Sequence, residues 1–221
     1  TEVDCTATWG GHWSGDYGSG TGLTGMFSMS ATLPAEPGEY SWALPLDTLT
    51  VSVVDADQNP VEIAQVRSAT WMGQGTFPGP AGTEFTVPIW EAVLHSPPVA
   101  STYELPVIAM PTVPVSVTLQ NGMELTQWID TTDGIGQVEV VVPEIATLQG
   151  NLDLGPGTDS WTYDSGNVGV QCVGAGLHAW YPLDDISFEV PAAPGCELPI
   201  NLQWAGDYAG QTGLYGSFGF Q

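Results

Sequence analysis

The stretch "CELPINLQWAGDYAGQTGLYGSFGFQ", Cys196–Gln221, decides the reading, because the chain has already run through it once. Residues Cys5–Ser30, "CTATWGGHWSGDYGSGTGLTGMFSMS", align with it without a gap. At a constant offset of 191 residues, Cys5 falls on Cys196, Trp13 on Trp204, and Gly15-Asp16-Tyr17 on Gly206-Asp207-Tyr208. Thr21-Gly22-Leu23 then falls on Thr212-Gly213-Leu214, Gly25 on Gly216, and Phe27 on Phe218. Nine of the fifteen positions from Trp13 to Phe27 are identical, so the repeat has to be settled before the fold. Each copy reads as a β-hairpin. Trp13–Tyr17 is one arm, the glycine-rich "GSGTG" (in the second copy "AGQTG") is the turn, and Leu23–Met29 is the other arm. Glycines at matched positions call for positive φ or close strand packing, which no other residue accepts so cheaply.

Working outward, 28 glycines and 18 prolines leave no window long enough for a regular helix. The segments between them are short and rich in β-branched and aromatic residues. "YSWALPLDTLTVSVVDA", "VPVSVTLQ", "GQVEVVVPEI" and "DDISFEV" read as strands, by alternation or as buried apolar runs. Pro37-Gly38, Asn59-Pro60, Pro78-Gly79-Pro80, Asn121-Gly122 and Asp133-Gly134 are the turn signals between them. Only "VEIAQVRSATWM" leaves helix and strand undecided. The expected fold class is all-β: a jelly-roll-like β-sandwich whose C-terminal hairpin repeats its N-terminal one. The short joint "VPAAPGC", Val190–Cys196, marks the expected boundary. It gives a sandwich unit over 1–191, and over 192–221 the start of a second repeat or a hairpin for a neighbouring subunit. The chain opens on Thr1 without a methionine, which reads as a processed or partial sequence.

The charge is lopsided because bases are missing. There are 25 acids, no lysine and one arginine, Arg67, for a formal net charge of −24. Nucleic-acid binding needs Lys and Arg to displace counterions from phosphates, so that partner is excluded, and an anionic membrane surface with it. Lysine chemistry is absent, and no apolar run approaches the ~18 residues of a membrane-spanning helix. Three cysteines allow one disulfide and leave one thiol over. If Cys196 opens a second copy of the unit, Cys5 pairs with Cys172. The alternative joins Cys172 to Cys196 and leaves Cys5 free.

"DADQNP", Asp55–Pro60, places side-chain oxygens of Asp55, Asp57 and Asn59 at alternate positions of a turn, a spacing that can wrap Ca²⁺. The same residues also build metal-free Asx turns. No other cofactor is expected. Nine tryptophans and seven tyrosines suit both strand packing and stacking on sugar rings. His12, His95 and His178 show no zinc spacing, and neither a GxSxG nor an HExxH motif occurs, so the chain is not expected to be an enzyme. "YPLDDISFEV" resembles the closing strand of jelly-roll modules of the carbohydrate-binding type, in which an acidic pair enters the last strand. That resemblance implies a sandwich of the surface-fibre or adhesion kind with a calcium or sugar role, and carries over no binding residue.

These readings converge on an extracellular or cell-surface structural protein, a subunit or tandem repeat of a filament. It would be joined to copies of itself through β-strand contacts. The motif residues Trp13, Gly15, Asp16, Tyr17, Trp204, Gly206, Asp207, Tyr208, Leu214 and Phe218 would serve assembly. The alternative is a carbohydrate-binding adhesion module, calcium-dependent, with glycans as partners.

Overall fold

The computed structural model describes residues 5–70, 75–108, 110–132, 134, 136–152, 161–183, 187–208 and 211–220. The side chains of 161–164, 208, 218 and 220 lie outside that description. The fold is all-β, built from mainly antiparallel sheets packed as a β-sandwich, and no α-helix occurs among the described residues. The chain divides into two compact units. The first comprises Thr1–Gln120 and Thr126–Val142, the second Asn121–Leu125 and Pro143–Gln221. The division falls near residue 142 and not at the Val190–Cys196 joint, which lies inside the second unit.

In the first unit, β1 (Thr6–Tyr17) and β2 (Gly20–Thr32) form the N-terminal hairpin. β3 (Leu46–Val54) and β4 (Ile63–Thr70) follow, so the ambiguous "VEIAQVRSATWM" stretch is a strand over Ile63–Thr70, while its Trp71 and Met72 lie outside the described residues. Next come a short β5 (Thr76–Pro78), β6 (Glu84–His95), β7 (Tyr103–Ile108), β8 (Thr112–Leu119), β9 (Glu124–Asp130) and β10 (Gln137–Val141). One sheet runs β1-β2-β6-β4-β8-β9, with β5 on β6, and the other runs β10-β3-β7. β10 lies parallel to β3. Alternation explains the layers: Val138 and Val140 of β10, Leu49, Val51 and Val53 of β3, and Val113, Val115 and Val117 of β8 all point inward and are buried. The Trp90 indole of β6 crosses between sheets, its Nε1–H donating to the Pro106 carbonyl of β7 at 3.0 Å.

Two of the strand prolines sit at an edge and at a register slip. Pro106 is on the edge strand β7. Pro88 falls where the β2–β6 register slips, so Val87 and Pro88 together face Met29. Arg67 sits mid-β4, between Val93 of β6 and Ser116 of β8.

The second unit contains β11 (Ala146–Asn151), β12 (Trp161–Cys172), β13 (Leu177–Pro182), β14 (Ser187–Ala192), β15 (Ile200–Tyr208) and β16 (Gln211–Phe220). β11 pairs with β14, and the other four strands run β13-β12-β15-β16. Met123, Leu125, Val168, Val170, Leu177, Val190 and Leu202 are among its fully buried residues. Ile200 and Leu202 alternate into that core, which makes the C-terminal hairpin an integral part of its own unit.

Candidate functional site

The two hairpins are built alike, residue for residue. In the first, Trp13 stands opposite Gly25, Gly15 opposite Leu23 and Tyr17 opposite Gly20. In the second, Trp204 stands opposite Gly216, Gly206 opposite Leu214 and Tyr208 opposite Gln211. Both registers slip at the aspartate, so two residues, Thr21-Gly22 or Thr212-Gly213, face one. The slip frees a backbone donor, and the aspartate takes it. Gly22 N–H donates to Asp16 Oδ1 at 2.8 Å, and Gly213 N–H to Asp207 Oδ1 at 2.8 Å. The bulge glycines have φ of 72° and 70°, which β-carbon-bearing residues resist. The turn itself is shorter than the glycine-rich stretch: in the first copy it is Gly18-Ser19 alone, with the Ser19 N–H on Glu104 Oε2 at 2.6 Å.

The Trp–Gly pair has an equally local cause. A β-carbon on Gly25 would lie 2.6 Å from the Trp13 ring, and one on Gly216 2.9 Å from the Trp204 ring. The indole lies across the bare glycine of the opposite strand. Trp13 goes further into its unit: it stacks on Trp90 with centroids 5.3 Å apart, and its Nε1–H donates to the Glu91 carbonyl at 3.2 Å. Tyr17 and Thr48 share a hydroxyl hydrogen bond of 3.2 Å. The side chains of Tyr208 and Phe218 lie outside the described residues.

The hairpins differ in which edge they leave open. β2 lies against β6, so β1 is the outer strand of its sheet. In the second copy the first arm, β15, lies against β12, and β16 is outermost. Natural edges are usually blunted by lysine, proline or inward charge. β16, "QTGLYGSFGF", has neither a charge nor a proline, and Tyr215 on it is 88% exposed. β1 carries one charge, Asp16, whose carboxylate is engaged at Gly22.

The cysteine pairing expected from the repeat, Cys5 with Cys172, is corrected: Cys172 is bonded to Cys196, and Cys5 is free and exposed. The reason is the ladder beside the bond. Glu197 N–H donates to the Gln171 carbonyl at 2.8 Å and Gln171 N–H to that of Glu197 at 2.9 Å, which sets the two cysteines side by side.

The Asp55 turn closes on itself. Asp55 Oδ1 accepts the backbone N–H of Asp57 and of Asn59, each at 2.9 Å, and the Asn59 side chain turns its Nδ2–H towards the same carboxylate at 3.1 Å. These bonds, the Asn59 backbone first, hold the Asp55 carboxyl below its ordinary range. With Asn59 donating instead of offering its oxygen, the three residues form an Asx turn that needs no ion. Among the described residues, no group of three or more His, Cys, Asp or Glu side chains is arranged to hold a metal. Asp130 is similarly engaged by the N–H and hydroxyl of Thr132, while Asp133, Asp184 and Asp185 lie outside the described residues.

An open cleft of about 520 Å³ lies on the first unit, with His12, Ser14, Glu91 and His95 among its lining. Arg67 reaches Glu91 at 4.0 Å beside it. Exposed aromatics stand elsewhere: Trp128 is 70% exposed and Trp180 51%, the latter laid over Gly169. Comparison with family models, with curated proteins and with solved structures finds no match to this chain.

Proposed function

We propose that the chain is a structural unit of an extracellular fibre or filament, joined to copies of itself by β-strand contacts. The observation that carries this reading is the pair of edges at the outer strands of two hairpins of one design: β16, with neither charge nor proline, and β1, whose one carboxylate is engaged at Gly22. Strand edges without charge or proline recruit further strands. The two edges differ, so a contact of β1 with β16 of the next copy is head-to-tail, and such a contact repeated without closing gives a filament. The disulfide suits an oxidising compartment outside the cell, and no helix among the described residues is long and apolar enough to cross a membrane. The near-absence of bases favours a partner that is neither nucleic acid nor an anionic lipid surface.

Static light scattering and electron microscopy across a concentration series test the proposal. Unbranched head-to-tail polymers are expected; a chain that stays monomeric at every concentration overturns it. A second reading, adhesion to glycans, draws on the exposed indoles of Trp128 and Trp180, whose open faces suit sugar stacking. Glycan-array binding that disappears in Trp128→Ala or Trp180→Ala would support it.

A further inference from the structure

Each hairpin shows what fits one edge of the motif, and the two show different edges. The second arm, as β2, is seen against β6. The first arm, as β15, is seen against β12. The same design therefore has two known neighbours, a β6 on one side and a β12 on the other. Neither hairpin has both within one copy.

Trp204 and Gly216, which the hairpin's own packing also uses, and Tyr208 are identities that a seat on β6 uses. A β-carbon at Gly25 would strike the Glu91 carbonyl of β6 as well as Trp13, and the second copy keeps glycine there as Gly216. Trp13 supplies the stack on Trp90 and the bond to the Glu91 carbonyl, and the second copy keeps Trp204. Tyr17 reaches Thr48, and the second copy keeps Tyr208.

Resting on the filament reading, we infer that successive copies trade hairpins: the C-terminal hairpin of one copy seats on β6 of the next, whose N-terminal hairpin seats on β12 of the first. The offset of 191 fixes both registers. Tyr215, Gly216 and Ser217 come opposite Val93, Ala92 and Glu91 of the next copy, in the places of Thr24, Gly25 and Met26. On β12, His12, Gly11 and Gly10 come opposite Ser165, Gly166 and Asn167, in the places of Gln203, Leu202 and Asn201. The trade keeps the number of strand pairings, as a domain swap does, but it sets Gly11 where Leu202 is buried, so the swapped state has to be held by the new contacts between copies. Because the receiving strands β6 and β12 are different, the exchange is head-to-tail, and in the filament it repeats from copy to copy.

The cysteines record the trade. Cys5 occupies the repeat position of Cys196, so the incoming hairpin brings its thiol to Cys172 of the neighbouring copy. The Cys5 thiolate attacks Sγ of Cys172 once β15 has lifted; the Cys172–Cys196 bond breaks and an inter-copy Cys5–Cys172 bond forms. Cys196 leaves as thiolate and takes up the proton that Cys5 lost. One disulfide replaces another, with no oxidant consumed.

The test mixes ¹⁴N- and ¹⁵N-labelled full chains at polymerising concentration with a trace of free thiol, followed by non-reducing peptide mapping. A mixed-isotope Cys5–Cys172 peptide with a freed Cys196 is expected. A second measurement avoids native thiol chemistry. In a Cys5→Ser background, chains with Ser217→Cys are mixed with chains carrying Glu91→Cys and mildly oxidised. That pair should cross-link about tenfold more than Gln203→Cys with Glu91→Cys, because Gln203 lies one strand further away. Polymers that form with neither link overturn the hairpin trade and leave the filament reading standing. Monomers throughout, with no mixed peptide, overturn both.

Discussion

The carboxylate of Asp16 accepts the backbone N–H of Gly22 at 2.8 Å across a bulge, and Asp207 does the same for Gly213. One hydrogen bond thus explains why Gly-Asp-Tyr and Thr-Gly-Leu travel together. Asp16→Ala should destabilise the first unit by about 1 kcal/mol, and Asp16→Asn by less, since an acceptor oxygen remains. Gly22→Ala, forced to a φ of 72°, should cost about 1 kcal/mol as well. Urea unfolding followed by tryptophan fluorescence measures all three; an Asn variant as weak as the Ala variant would remove the hydrogen bond from the explanation.

Trp13 holds the hairpin to its sheet through Trp90 and the Glu91 carbonyl. Trp13→Ala should lower stability by about 3 kcal/mol, and Trp13→Phe, which keeps a ring but loses the N–H, by about half as much. Calorimetry separates the two. Equal losses would assign the whole effect to the hydrogen bond.

The disulfide closes a separation of 24 residues. Replacing the pair by Cys172→Ser and Cys196→Ser should cost about 3 kcal/mol on the chain-entropy account. The loss should fall on the second unit, read by hydrogen exchange of β12 and β15. Protection loss confined to the first unit would contradict the pairing.

Two groups tie stability to pH in opposite directions. Burial pushes the Tyr181 phenol up to about 12 from 10.0, and its O–H donates to the Asn121 carbonyl at 3.1 Å. The folded state therefore favours the neutral phenol. Its contribution is whole below pH 10 and lost as pH rises towards 12. Asp55 is lowered, so its contribution is present above the ordinary carboxylate range and lost on acidification through it. Denaturation curves across pH should show the alkaline loss shrinking in Tyr181→Phe and the acid loss shrinking in Asp55→Asn. An unchanged slope in either variant refutes that assignment.

Local patterns carried the strands and the hairpins, because periodicity, matched glycines and turn residues act over a few positions. Asn121-Gly122 is a turn with Gly122 at φ 84°, as its sequence requires. Val138 and Val140 alternate inward as "GQVEVVVPEI" implies. Long-range choices were not legible. Nothing in β10 announces a parallel partner, because alternation is the same for either direction. The division near residue 142 has no linker composition. Cys172 found Cys196 through a backbone ladder at Gln171 and Glu197, which side-chain identities do not encode. At "DADQNP" the spacing was right for oxygens, but the rotation of the Asn59 amide decides whether it offers oxygen or N–H. The matched glycines announced a positive φ at Gly22, but not that the Asp16 carboxylate would take its N–H.

Arg67 has a further consequence. It is the sole basic side chain among Lys and Arg in 221 residues, so proteases that cut after such residues have one target bond. That bond lies mid-β4, hydrogen-bonded to β6 on one side and β8 on the other. A protease must draw several residues of extended chain into its own cleft, and β4 can supply them only when the sheet has opened. Digestion by trypsin-like enzymes is therefore limited to the small fraction of molecules whose first unit is unfolded at any moment. Durability against that class of enzyme comes from where one residue was placed and from the absence of all others like it.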